Sequence, residues 1–153
     1  ILIDTKLLLE LPKREISSGF GEIIKYGMLG CTEIIEIISD INFDFSERIG
    51  ELVELSLREK ERFVKGDIKE SSNRLFLNFG HTIAHAIEKL TQLDGKILHG
   101  NAVAIGIICE LLFANKLGYF EDIDIINTLI NHFQNLKLPV KLSEIIFTKY
   151  IPD

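Results

Sequence analysis

One stretch constrains the fold of this chain more than any other. Between Arg74 and Leu90, the residues Leu75, Phe76, Leu77, Phe79, Ile83, Ala84, Ala86, Ile87 and Leu90 are apolar or small. On a helical wheel at ~100° per residue, Arg74, Asn78, His81, His85 and Glu88 fall within one arc of about 80°. The pattern predicts a helix from about Arg74 to Leu90, apolar nearly all round and therefore buried, with a single polar stripe. Buried polar groups are costly without partners. The stripe is either an internal network of hydrogen bonds and ion pairs or one wall of a polar site that holds a metal or an anion. Five groups of complementary chemistry on one narrow arc favour the site.

The remaining segments also follow helical spacing, with no period-2 alternation bounded by hairpin turns. Residues 1–4 read as the end of a strand. Ser17 and Ser18 are expected to cap a helix running to about Gly30, and Thr32 a short one ending near Ser39. After a loop over residues 41–45, Ser46 is expected to cap a long helix to about Lys65. A second loop covers residues 66–73, and Asp94-Gly95 marks a turn between residues 91 and 100. An apolar helix then runs to Leu117, stopped by Gly118. An amphipathic helix follows from about Asp122 to Leu136, with Ile123, Ile126, Leu129, Ile130 and Phe133 on one face. Pro139 breaks the chain, and Ser143 caps a final short helix. The expected architecture is mainly α, a helical, bundle-like single domain over residues 1–153.

Composition narrows the function classes. The chain has 153 residues, of which 46% are apolar and 26% charged, which excludes a disordered chain. Lys and Arg total 17 against 23 Asp and Glu, a net charge of −6. That argues against bulk nucleic-acid binding but leaves room for a local basic site. The most apolar run, residues 102–114, is interrupted by Glu110 and falls short of the ~20 residues a bilayer requires. It reads as a core helix, and no membrane association is expected. Cys31 and Cys109 form no CxxC pair, which suits a reducing cytoplasm. The chain opens on Ile1 with no signal-peptide pattern and reads as cut from something longer.

Several residues invite a chemical reading. His81 and His85, four apart on a helix, could share one metal, although the Glu of a zinc-protease helix is missing. His99 immediately precedes Gly100 at the start of the next helix. His132 stands alone and reads as a structural or solvent-facing residue. Lys60 interrupts an apolar stripe of Ile49, Val53, Leu57 and Val64. It either snorkels to solvent or presents a cation to a buried anion. Glu22 and Lys25 are three apart on a helix face. They form either a surface ion pair or a metal ligand beside an anion contact.

Four blocks carry a family resemblance: residues 11–27 (LPKREISSGFGEIIKYG), Lys60 with Asp67 and Glu70, residues 74–88 (RLFLNFGHTIAHAIE) and residues 98–106 (LHGNAVAIG). On these blocks the chain resembles the C-terminal helical domain of the 3-dehydroquinate synthase family, in the shikimate pathway. The resemblance implies that Glu22, His81 and His99 hold a divalent metal, zinc or cobalt. It implies that Lys25, Lys60, Glu70, Arg74, Asn78 and His85 contact the substrate, with Lys25 and His85 taking catalytic roles. The implied substrate is an anionic sugar phosphate, 3-deoxy-D-arabino-heptulosonate 7-phosphate, which loses phosphate and recloses to 3-dehydroquinate. Bound NAD oxidises a hydroxyl transiently in that chemistry. The NAD is held mainly by an N-terminal α/β domain that this chain lacks, so the isolated chain is expected to be inactive. The full protein is expected to be a cytoplasmic homodimer.

The sequence also departs from the family pattern. Asn101 stands where Glu is common, Ile68 replaces a common Glu, and the chain ends before a late lysine of the family. None of these touches the implied ligands. The alternatives are another sugar-phosphate cyclase or a metal-dependent polyol dehydrogenase of the same superfamily, or a non-catalytic helical module whose polar stripe is a structural network.

Overall fold

The computed structural model describes residues 2–65, 73–91 and 97–144. Every regular element among them is a helix, in agreement with the mainly-α expectation. The chain divides into two compact units, one up to Asn78 and one from Phe79 onward.

The first unit opens differently from its sequence reading. Residues 2–4 form no strand. Asp4 instead caps a short 3-10 helix, Thr5–Glu10, its carboxylate accepting the Lys6 amide at 3.0 Å. Helix α1 then spans Lys13–Met28, starting ahead of the expected serine caps. Pro12 occupies the cap position at φ −54°, and its carbonyl accepts from the Glu15 and Ile16 amides at 2.9 and 3.2 Å. Proline's fixed φ suits that entry, so Ser17 and Ser18 fall inside the helix, with Ser18 buried.

Helix α2 spans Thr32–Ser39, with Cys31 rather than Thr32 at its cap. Helix α3 spans Phe45–Val64. Asp44, not Ser46, caps α3, its carboxylate accepting from both the Ser46 amide (2.7 Å) and hydroxyl (2.6 Å). The acid reaches back to the second helical residue, so the loop ends earlier than the serine suggested. Phe20 of α1 packs edge-on against Phe43 and Phe45, with centroids 5.9 and 5.7 Å apart, fixing the entry of α3. Only Ile49 and Leu52 of α3 are buried. Leu57 is exposed and so is Lys60, so the apolar stripe does not run the length of the helix.

The expected helix from Arg74 to Leu90 is not continuous. Residues Asn73–Asn78 form a 3-10 helix, and α4 spans His81–Leu90. Gly80 breaks the register at φ +79°, a left-handed conformation that suits glycine. Its amide donates to Glu110 Oε2 at 2.9 Å instead of to a helical carbonyl. Its carbonyl accepts the Ala84 amide at 3.1 Å and so starts α4. At three residues per turn the 3-10 segment also rotates side chains differently, so the arc drawn from Arg74 through Glu88 does not exist as one stripe. Nor is the segment buried all round, since Leu75, Phe76 and Leu90 are exposed, and α4 buries only Ala84 and Ile87.

The second unit is organised on α5, His99–Lys116, in which each residue from Ala102 to Ile108 is buried. Helix α4 packs against α5 at a glycine pair. A Cβ on Gly106 would lie 1.9 Å from the Gly80 carbonyl oxygen, so the two backbones touch where side chains would normally keep them apart. Helix α6 spans Ile123–Asn135, capped by Asp122 and burying Ile126, Leu129 and Phe133 as its periodicity predicts. Ile123, at its first position, is exposed. Ser143 lies within a short 3-10 helix, Leu142–Glu144, rather than ahead of one. The Asp94-Gly95 turn lies outside the described residues. Among the described residues, no helix is long and apolar enough to cross a membrane.

Candidate metal and substrate site

In the first unit, Glu22 and Lys25 form more than a surface ion pair. They sit one turn apart on α1, and Lys25 Nζ lies 2.7 Å from Glu22 Oε2. Lys25 is only 3% exposed. Its ammonium also donates to the Leu77 carbonyl at 3.0 Å, tying α1 to the 3-10 helix that carries Arg74 and Asn78. A buried ammonium needs such partners, and here one is a charge and the other a backbone dipole. Next to it, the buried Tyr26 phenol is pushed up to about 12, first by burial and then by the Glu22 carboxylate.

The other expected substrate contacts of this unit are placed differently. Arg74 is half-buried on the 3-10 helix, while Asn78 at its end and Lys60 on α3 are exposed. Glu70 lies outside the described residues, as do Asp67 and Ile68.

In the second unit, three imidazoles gather. The His81 ring lies 5.6 Å from His85 and 5.1 Å from His99, centroid to centroid, and His85 lies 6.5 Å from His99. His81 and His85 are brought together by helical spacing on α4, as expected. His99 comes from the first residue of α5, so only the packing of α5 on α4 delivers it.

Hydrogen bonds distinguish the three rings. His81 Nδ1 lies 3.1 Å from the Phe79 carbonyl oxygen. His99 Nδ1 lies 2.7 Å from Glu88 Oε1. A carbonyl and a carboxylate only accept, so each Nδ1 carries the proton and, in the neutral ring, the lone pair falls on Nε2. His85 is exposed and makes no hydrogen bond among the described residues. Two imidazoles with an engaged Nδ1 are the usual state of metal-binding histidines, and imidazole nitrogens suit zinc or cobalt.

Two residues of this neighbourhood had no assigned role in the sequence reading. Glu88 stood out only as a stripe member. Its partner His99 is 11 positions on, a separation that carries no periodic signal. Glu110 stood out only as a break in an apolar run, yet it anchors the Gly80 turn from which α4 and His81 begin.

Comparisons with known proteins identify the family of the chain. The family model described as 3-dehydroquinate synthase C-terminal matches residues 19–152. A 3-dehydroquinate synthase of Prochlorococcus marinus (strain NATL2A) is 40% identical over 128 residues, covering 80% of this chain and 34% of the relative. One from Buchnera aphidicola subsp. Cinara cedri is 38% identical over 152 residues, covering 92% of this chain and 39% of the relative. One from Sulfolobus acidocaldarius is 32% identical over 152 residues, covering 95% of this chain and 42% of the relative. The chain thus spans roughly two fifths of the length of these relatives. With a match over most of its length, the chain belongs to the 3-dehydroquinate synthase C-terminal family.

Proposed function

We propose that this chain is the metal- and substrate-binding helical part of a 3-dehydroquinate synthase, in which His81, His99 and Glu22 hold a zinc or cobalt ion. The observation that carries the reading is the His81–His99 pair, 5.1 Å apart with both Nδ1 atoms engaged. Two imidazoles and a carboxylate form a donor set typical of catalytic rather than closed structural sites. When bound, the metal supplies a Lewis acid for substrate oxygens, and NAD, held chiefly outside these 153 residues, supplies transient oxidation.

The chain's own residues supply the remaining functions. Lys25 holds the Glu22 carboxylate and presents an ammonium to substrate. Arg74 suits the substrate carboxylate, because its planar fork donates two parallel hydrogen bonds. Lys60, Asn78 and Glu70 complete the contacts to hydroxyls and phosphate. His85, exposed and without a hydrogen bond among the described residues, is the proton-transfer group near the departing phosphate. The substrate in this reading is 3-deoxy-D-arabino-heptulosonate 7-phosphate, and the products are 3-dehydroquinate and inorganic phosphate. The reading extends to a cytoplasmic homodimer.

The test is phosphate release by the whole protein carrying this chain, supplied with NAD and zinc or cobalt. Release of phosphate from that substrate, abolished by chelation and restored by metal, supports the assignment. No release from a metal-loaded protein, with turnover of a different sugar phosphate instead, moves it to a neighbouring cyclase. Absence of metal binding altogether returns the polar cluster to a structural role.

A further inference from the structure

The Glu88 carboxylate has a partner that the metal reading leaves unexplained. Its Oε1 lies 2.7 Å from His99 Nδ1. Its side chain is 16% exposed, against 46% for His99. The better-buried group of the pair is therefore the acid, which sits in the last turns of α4, while the ring at the first position of α5 is the more exposed. A solvent-facing imidazole at a helix start has several rotamers and both neutral tautomers open to it. A carboxylate that accepts from Nδ1 selects one of each.

We propose that Glu88 is the positioning residue of His99. By accepting the Nδ1 proton it fixes the ring rotation and the tautomer, so that His99 offers Nε2 as a ligand to a divalent cation. Within α4, His81, His85 and Glu88 share an arc of about 60° at ~100° per residue. One short helix thereby supplies one imidazole directly and orients a second from α5. His81 needs no such acid, because the Phe79 carbonyl already takes its Nδ1 proton. The inference rests on the metal reading given above.

The test uses Glu88→Ala and Glu88→Gln, with His81→Ala as a control, and two measurements. The first is the His99 tautomer, read from ring nitrogen chemical shifts in metal-free protein at about pH 8.5, where an ordinary imidazole is neutral. The wild type is expected to hold Nδ1–H. Glu88→Ala is expected to shift His99 toward the Nε2–H form, and His81→Ala to leave it unchanged. The second measurement is cobalt affinity by chelator competition. A loss on the order of 10–100-fold is expected for Glu88→Ala, with a smaller loss for Glu88→Gln, whose amide oxygen can still accept. Circular dichroism checks that each variant is folded, and if Glu88→Ala fails the check, Glu88→Leu, which also lacks an acceptor, replaces it for both readouts. An unchanged His99 tautomer overturns the inference. So does unchanged cobalt affinity in a wild type that binds cobalt, and the metal reading then survives. Failure of the wild type to bind cobalt overturns the metal reading and this inference with it.

Discussion

The Lys25 ammonium lies 2.7 Å from the Glu22 carboxylate and 3.0 Å from the Leu77 carbonyl, and it is buried. An ion pair one helical turn apart is normally an exposed feature worth little. Burial of the ammonium changes its character, because removing Lys25 takes a close cation from Glu22 and a donor from the Leu77 carbonyl in a poorly solvated place.

Lys25→Met is therefore expected to destabilise the protein by about 1–3 kcal/mol. It leaves the Glu22 carboxylate without its cation and the Leu77 carbonyl without this donor. Lys25→Arg does not restore the loss, since a branched, planar guanidinium does not fit the position of a compact ammonium. Urea unfolding of the two variants checks this, and wild-type stability in Lys25→Met would exclude a structural role for the pair.

Gly106→Ala tests the contact of α4 with α5. The added Cβ would lie 1.9 Å from the Gly80 oxygen, and its three nearest atoms are all Gly80 backbone. No side chain can swing away, so the helices must separate. The cost is expected at the upper end of overpacking changes, about 3 kcal/mol or more. Thermal unfolding reads the stability. The His81–His99 spacing should widen as well, so metal affinity should fall in the same variant.

The three histidines should separate by function. His81→Ala and His99→Ala are expected to abolish stoichiometric zinc or cobalt binding, while His85→Ala retains it and loses turnover in the whole protein. Metal analysis after dialysis distinguishes them. Equal metal loss in all three variants would mean that His85 is a ligand too.

Tyr26 predicts an alkaline limit. Its phenol is pushed up to about 12 in the folded chain, above the ordinary value near 10. The folded state thus keeps the proton longer than the unfolded chain does. That contribution is complete below about pH 10 and is lost as pH rises through about 12. Stability should fall over that interval more steeply in the wild type than in Tyr26→Phe. Unfolding at graded pH, with phenolate absorbance as the titration signal, measures the difference.

Local sequence made much of this protein legible. The 3–4 spacing of Ile126, Leu129 and Phe133 sets the buried face of α6, because a helix repeats every 3.6 residues whatever surrounds it. Gly118 ends α5 and takes φ +76°, as a residue without Cβ can. His81 and His85 come together for the same periodic reason. Errors arose where two candidate signals competed within a few residues. Pro12 overrode Ser17 and Ser18, and Asp44 overrode Ser46, since the earlier group reached the first free amides or fixed φ first.

Other features depend on residues far apart in the chain. Helical spacing cannot show that Gly80 turns left-handed, because Glu110, thirty positions on, takes its amide. Nor can it show that Lys25 is buried and donates to the Leu77 carbonyl, or that Glu88 meets His99. The sequence by itself determined the helical class, the family and the types of group available for a metal and an anion. Tertiary structure decided where the helices break and which partner each charged or ring nitrogen atom meets. Those pairings depend on backbones approaching as closely as Gly80 and Gly106 do, and no local propensity encodes such an approach.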